Sequence, residues 1–236
     1  MFLIGFLRFF CIAIFIILSS ILMICVSLLR PRNINNNYIA IIMYRSIAYL
    51  LGIKIEVLGK ENIPDTGCIF IANHQSNYDI FLVTNAVPKK TIAIGKKSIL
   101  YFPFFGLIYW LGGNVLIDRN NREAALNVLS SLEKRMKKEN IFVWFFPEGS
   151  RNYGKKLLPF KKGAFYMAKN LDCPVIPVCV STYYTSFNIN RINNGKIIIK
   201  YLSPENVYEP LKSCVYDIRH KMENEIFDLD KSLDQK

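Results

Sequence analysis

Cys68-Ile69-Phe70-Ile71-Ala72-Asn73-His74-Gln75-Ser76-Asn77-Tyr78-Asp79 is the stretch on which the fold of this chain turns. Its apolar opening comes after the turn-forming Pro64-Asp65-Thr66-Gly67, which predicts a buried strand, and the polar residues after Ala72 predict that the strand ends in a turn. An imidazole at a strand end is able to take a proton from a hydroxyl near neutral pH, and a carboxylate a turn further on holds its other nitrogen in one tautomer. His74 and Asp79 are therefore the candidate base and its orienting partner. They make two-thirds of a serine-hydrolase triad, but the chain has no Gly-x-Ser-x-Gly elbow, and Ser76 within the turn is placed to hydrogen-bond the backbone. The nucleophile to expect is the substrate itself.

Outward from this stretch, short apolar runs alternate with helical patterns, the signature of an α/β fold. Strands are predicted at residues 54–58, 91–94, 114–117, 141–146, 175–180 and 196–202. Residues 141–146, the most apolar of these, read as central, and Pro177 should mark an edge strand or a strand's end. Helices are predicted from Asp79 to near Pro88, from Asn120 to about Lys138 with an apolar stripe of Ala125, Leu129, Leu132 and Met136, and through Lys169. The chain closes with an amphipathic helix carrying Val215, Ile218, Met222, Ile226 and Leu229, on which His220 reads as a surface residue. Residues 99–113 are uncharged and rich in aromatics, which fits either a buried helix or a surface that meets acyl chains or lipid.

Three polar clusters fall at predicted strand ends: His74 with Asp79, Asp118 with Arg119, and Glu148 with Arg151 around a Gly149 turn. Open α/β sheets gather their ligand sites at such ends. Lys155, Lys156, Lys161 and Lys162 surround Pro159-Phe160 as a solvated loop or as a basic rim for a phosphate. A base, two arginines and a greasy segment suit a substrate with a hydroxyl, a phosphate and an acyl chain, since the arginine fork matches phosphate oxygens in pairs.

At 236 residues one ample domain is the expectation. Lysine and arginine exceed aspartate and glutamate by 30 to 18, a net +12, while the mean hydropathy is +0.21. Charge and grease together point to an anionic membrane surface rather than nucleic acid. The cysteines, Cys11, Cys25, Cys68, Cys173, Cys179 and Cys214, lack zinc-like spacing and lie mostly in apolar runs, so they read as reduced residues of a cytosolic-facing protein. Residues 9–29 form an apolar run flanked by Arg8 and by Arg30 and Arg32, matching the ~20 residues that cross a bilayer core. It reads as an uncleaved anchor that either spans the membrane or lies as a hairpin with a second apolar helix at residues 38–51, which suits the interface. The heavier positive charge after the run puts the downstream domain on the cytoplasmic side.

These motifs resemble those of the glycerolipid acyltransferase family, in particular its bacterial 1-acyl-sn-glycerol-3-phosphate acyltransferases. The family's His-four residues-Asp block matches residues 73–79, its Ile-Asp-Arg block residues 113–119, its Phe-Pro-Glu-Gly-Thr-Arg block residues 146–151, and its Ile-Pro block residues 175–178. Ser150 stands where the family usually has threonine and keeps the hydroxyl. The resemblance implies a glycerol-3-phosphate acyltransferase-like αβ domain with a mixed central sheet at residues 53–236, preceded by one or two membrane-associated helices at residues 1–52. It implies His74 as general base, Asp79 as its orienting partner, and Arg119, Glu148, Gly149 and Arg151 as the glycerol-phosphate site, with Asp118 outside the assignment. It implies acyl transfer from an acyl carrier protein or coenzyme A thioester to lysophosphatidic acid, in phospholipid biosynthesis at the cell inner membrane, with the catalytic domain on the cytoplasmic face. No metal, cofactor or nucleic acid is called for. The alternatives are a membrane-attached lipid-binding protein, which has no need of a His-Asp pair, and a hydrolase using Cys68 or Ser76, which should show an elbow and an oxyanion loop.

Overall fold

In the computed structural model, which describes residues 2–234, seven strands form one sheet in the order β1-β7-β6-β2-β5-β3-β4. They are β1 (Lys54–Leu58), β2 (Ile69–Ala72), β3 (Thr91–Lys96), β4 (Val115–Ile117), β5 (Phe142–Phe145), β6 (Val175–Val180) and β7 (Lys196–Tyr201). Only β6 and β7 pair antiparallel; every other neighbouring pair is parallel, so the expected mixed sheet is what forms. Residues 1, 235 and 236, the outer ends of the two expected segments, lie outside the described residues.

Helices cover both faces. These are α1 (Phe2–Leu29), α2 (Ile34–Arg45), α3 (Ile47–Leu50), α4 (Asp79–Leu82), α5 (Phe105–Leu111), α6 (Arg122–Glu139), α7 (Gly163–Leu171) and α8 (Leu211–Asp234). Ile69, Ile71, Val143, Val175 and Cys179 pack on one side with α6, α7 and α8. Phe70, Ala72, Trp144, Ile176 and Val178 pack on the other with α2, α3 and α4. Because both faces are buried, the inner strands are continuous apolar runs rather than alternating ones. Each large side chain so buried contributes about 1.5–3 kcal/mol.

β2 holds the middle of the sheet and β5 stands beside it, so residues 141–146 are interior but one place off centre. Pro177 also sits in an interior strand, not at an edge. The ladder from β6 to β7 runs only from Val178 to Val180, and just beyond it Leu202 N donates to Pro177 O at 2.9 Å. The return bond, for which proline has no N–H, is the one the ladder has already ended without.

The N-terminal helix departs from the expectation. α1 begins at Phe2, and Arg8 lies inside it instead of flanking an anchor that starts at residue 9. The charge is tolerated there because the guanidinium donates to the carbonyls of Ile189 (2.9 Å), Ile192 (2.7 Å) and Arg191 in the loop before β7. At Gly5 the helix approaches Asn190 so closely that a Cβ would collide with the amide oxygen. Ser19, Ser20, Met23 and Ser27 are buried along one side, while Phe6, Phe9, Phe10, Leu18 and Leu22 stay exposed. α1 is long and apolar enough to cross a membrane, and it is also docked along the domain.

Residues 38–51 divide between α2 and α3, and their inner side, with Ile41, Tyr44, Ile47 and Leu51, belongs to the core over the sheet. Ile42, Tyr49 and Leu50 face outward. Arg45 interrupts the apolar pattern because it caps the turn at residues 83–85, donating to Thr84 O at 2.9 Å and Val87 O at 2.8 Å. Residues 99–113 present one buried and one exposed side. Gly106, Ile108 and Leu111 are buried, whereas Tyr101, Phe102, Phe104, Leu107 and Trp110 are exposed.

Candidate active site

The parallel strands β2, β3, β4, β5 and β6 all end at one edge of the sheet, which brings the predicted polar clusters together. At the end of β2 the Asn73 side chain continues the ladder, donating to Val180 O (2.9 Å) and accepting from Val180 N (2.8 Å). Gln75 pins the turn in the same way, bonding Ser181 O at 2.8 Å and Tyr183 N at 3.0 Å. Held between these anchors, His74 Nδ1 lies 2.5 Å from Asp79 Oδ2.

Asp79 opens α4 and is 3% exposed. Its Oδ2 also accepts from the backbone N–H groups of Gln75 (2.7 Å) and Ser76 (3.1 Å), and its Oδ1 from the Tyr183 hydroxyl (2.5 Å). A carboxylate surrounded by donors assigns the proton of the contact to His74 Nδ1 and leaves Nε2 as the acceptor. The imidazole stacks on Phe146, with centroids 4.2 Å apart and planes at 21°.

The end of β5 is tied to this turn. Glu148 Oε1 accepts from His74 N at 2.8 Å, Oε2 from Leu158 N at 2.9 Å, and the Asn152 amide reaches both oxygens. Asn152 N and Tyr153 N donate to His74 O (2.8 Å) and Gln75 O (3.1 Å). Burial pushes the Glu148 carboxyl above its ordinary value, and the His74 and Leu158 N–H groups and the Asn152 amide oppose that shift. Its carboxylate points inward, at 4% exposure, and braces the turns from behind. Gly149 has φ +70°, and a Cβ there would come within 2.7 Å of Lys161 Cε, so only glycine fits without strain.

Arg119, at the end of β4, reaches across to donate to Gly149 O. Desolvation of its guanidinium and the nearby Arg151 charge hold its pKa below the ordinary arginine value, and the residue, exposed as a whole, stays charged. Arg151, Lys155, Lys156, Lys161 and Lys162 line the outer rim, exposed. Asp118 caps the following turn through Asn120 N at 3.0 Å and faces Lys97 at 3.6 Å. The site residues expected from sequence therefore meet at one edge: Glu148 touches His74, and Arg119 touches Gly149.

Sequence reasoning missed Tyr183, Asn152, Gln75 and Phe146. Gln75 and Phe146 lie inside two of the motif blocks and Asn152 borders one, but nothing local marks Tyr183, which arrives only because β6 neighbours β2. The two nucleophiles of the hydrolase alternative are both engaged elsewhere. Cys68 is fully buried before the start of β2, the end remote from His74, where burial pushes its thiol up. Ser76 Oγ is committed to Tyr78 N (3.0 Å) and the Tyr183 hydroxyl (2.8 Å). A cavity of about 420 Å³ opens between α8 and the loop at residues 152–157; Asn73, Gln75 and Asn152 line it, and His74 does not.

A profile of the acyltransferase family matches residues 54–181, more than half of the chain. The 1-acyl-sn-glycerol-3-phosphate acyltransferase of Escherichia coli is 43% identical over 211 residues, covering 87% of this chain and 86% of the relative. That of Haemophilus influenzae is 37% identical over 230 residues, covering 93% and 96%. The crystal structure of the 1-acyl-sn-glycerophosphate acyltransferase from Thermotoga maritima superposes with a TM-score of 0.75 at 24% identity, over 97% of this chain and 96% of that one, a likeness of fold.

Proposed function

The chain belongs to the acyltransferase family, and from that premise we propose that it acylates the sn-2 hydroxyl of 1-acyl-sn-glycerol 3-phosphate to form phosphatidic acid, with His74 as the base. The observation that carries the proposal is the 2.5 Å contact from His74 Nδ1 to Asp79 Oδ2 at the mouth of the central strand. Nε2 takes the proton of the substrate hydroxyl as its oxygen attacks the thioester carbonyl, and the collapsing tetrahedral intermediate expels the thiolate, which takes the proton back from His74. Base catalysis of this kind contributes ~10²–10⁴-fold, with positioning supplying much of the remainder.

In this reading Arg119 and Arg151 grip the glycerol phosphate and the Gly149 turn lets it approach. Glu148 belongs to the same site as the brace that holds that turn against His74. The donor is an acyl carrier protein or coenzyme A thioester. Residues 1–52 serve as the membrane-associating unit and residues 53–236 as the catalytic one. The exposed apolar side of α1, with Arg30 and Arg32 beyond its end, supports attachment at the cell inner membrane with the site on the cytoplasmic face.

Purified protein given lysophosphatidic acid and an acyl thioester tests the proposal. Phosphatidic acid is the expected product; release of free fatty acid instead, or no turnover, would overturn it.

A further inference from the structure

We propose that Tyr183 is a positioning residue for the base, fixing the Asp79 carboxylate through the oxygen that the catalytic turn does not use; the inference rests on His74 being that base. Tyr183 lies just past β6, is 3% exposed, and falls outside all four motif blocks. Its hydroxyl is 2.5 Å from Asp79 Oδ1 and 2.8 Å from Ser76 Oγ.

The direction of every hydrogen in this group is fixed by elimination. Tyr78 N donates to Ser76 Oγ at 3.0 Å, so that oxygen accepts there and its own hydrogen is left over. A carboxylate only accepts, so Tyr183 donates to Asp79, and the spare Ser76 hydrogen goes to the Tyr183 oxygen. The bonds therefore run one way, from Tyr78 N through Ser76 and Tyr183 into Asp79, each polarising the next. Burial and the Asp79 charge hold the Tyr183 phenol well above its ordinary pKa, which keeps it a donor.

Oδ2 is shared by His74 Nδ1, Gln75 N and Ser76 N, whereas Oδ1 has Tyr183 as its partner among the described residues. The phenol therefore does two things. It stops the carboxylate from pivoting about the crowded oxygen, and it draws negative charge away from the imidazole, which tempers how strongly Asp79 stabilises the imidazolium. Besides Asp79, the ionisable group against His74 is Glu148 after β5, while Tyr78 at the start of α4 faces the Tyr183 phenol, with Tyr184 beyond it.

The test is the pH dependence of kcat/KM in the full-length protein with lysophosphatidic acid. Tyr183→Phe should lower plateau kcat about tenfold, the loss expected for a hydrogen bond to a charged group, while the lysolipid KM stays within about twofold. Its acid limb should move up by about half a pH unit, because the unshielded carboxylate stabilises the imidazolium better. Incorporating 3-fluorotyrosine at position 183 preserves shape and strengthens the donor, so its limb should move down. Opposite signs in the two proteins support the inference, since lost packing alone would not reverse. A limb that stays put in both, or moves the same way in both, overturns it. His74→Ala separates the two levels: an acid limb surviving there removes His74 as the base and the inference with it, whereas a limb abolished there but fixed in both Tyr183 proteins removes Tyr183 alone.

Discussion

The turn after β2 and the rim beyond β4 and β5 meet at one edge of the sheet and are built on opposite plans. Around Asp79 four donors converge on one buried carboxylate, and Glu148 next to it is bonded through both oxygens. On the rim, Arg151 and four lysines stand exposed, and among the described residues no carboxylate pairs with Arg119 or Arg151. The difference comes from what each region must do before substrate arrives. A base has to be oriented in advance, so its partners belong to the protein. A guanidinium that grips a phosphate keeps most of its donors for the ligand, and Arg119 commits only one nitrogen, to Gly149 O.

The largest effect should come from breaking the pre-oriented side. His74→Ala is expected to lower kcat by about 10³–10⁴-fold with lysolipid binding nearly intact, since its contribution is made in the transition state. Asp79→Asn should approach the same loss, because an amide admits the wrong imidazole tautomer. Steady-state kinetics with product quantified as phosphatidic acid checks both, and turnover above about a tenth of wild type in His74→Ala would erase the contrast between the two regions.

On the open side the expected change is smaller and of a different kind. Arg119→Lys keeps the charge but gives up the paired donors, so the lysolipid KM should rise by about tenfold while the donor KM moves little. Were the thioester KM to rise more, Arg119 would sit at the donor and the rim would be misassigned.

The smallest effect concerns the apolar surface next to α1. Phe102 and Leu107 are exposed, unlike Phe105, which packs on Tyr44 and Tyr109. Phe102→Asp with Leu107→Asp should depress turnover on anionic vesicles about threefold more than turnover in detergent micelles, by removing apolar contact with the bilayer. Equal loss in both would leave α1 as the sole lipid contact of this side.

What was legible in the sequence is what neighbouring residues encode. The unbroken apolar runs at residues 68–72 and 175–180 announce strands buried on both faces, and the stripe ending in Leu132 and Met136 announces α6, because burial and side-chain period are local properties. His74 and Asp79 were readable because they share one turn, and Gly149 because the turn itself needs a positive φ. Other features wait on the order of the strands. Glu148 turns inward because β5 lies beside β2 and presents His74 N and Leu158 N to it. Pro177 is tolerated in an interior strand because β7 ends where its missing N–H would have been needed. Arg8 continues a helix it was expected to bound because a loop 181 to 184 residues away supplies its carbonyls. Tyr183 meets Asp79 across 104 residues for the same reason, since a hydrogen bond between distant segments depends on which strands are neighbours, and no local pattern of residues encodes that adjacency.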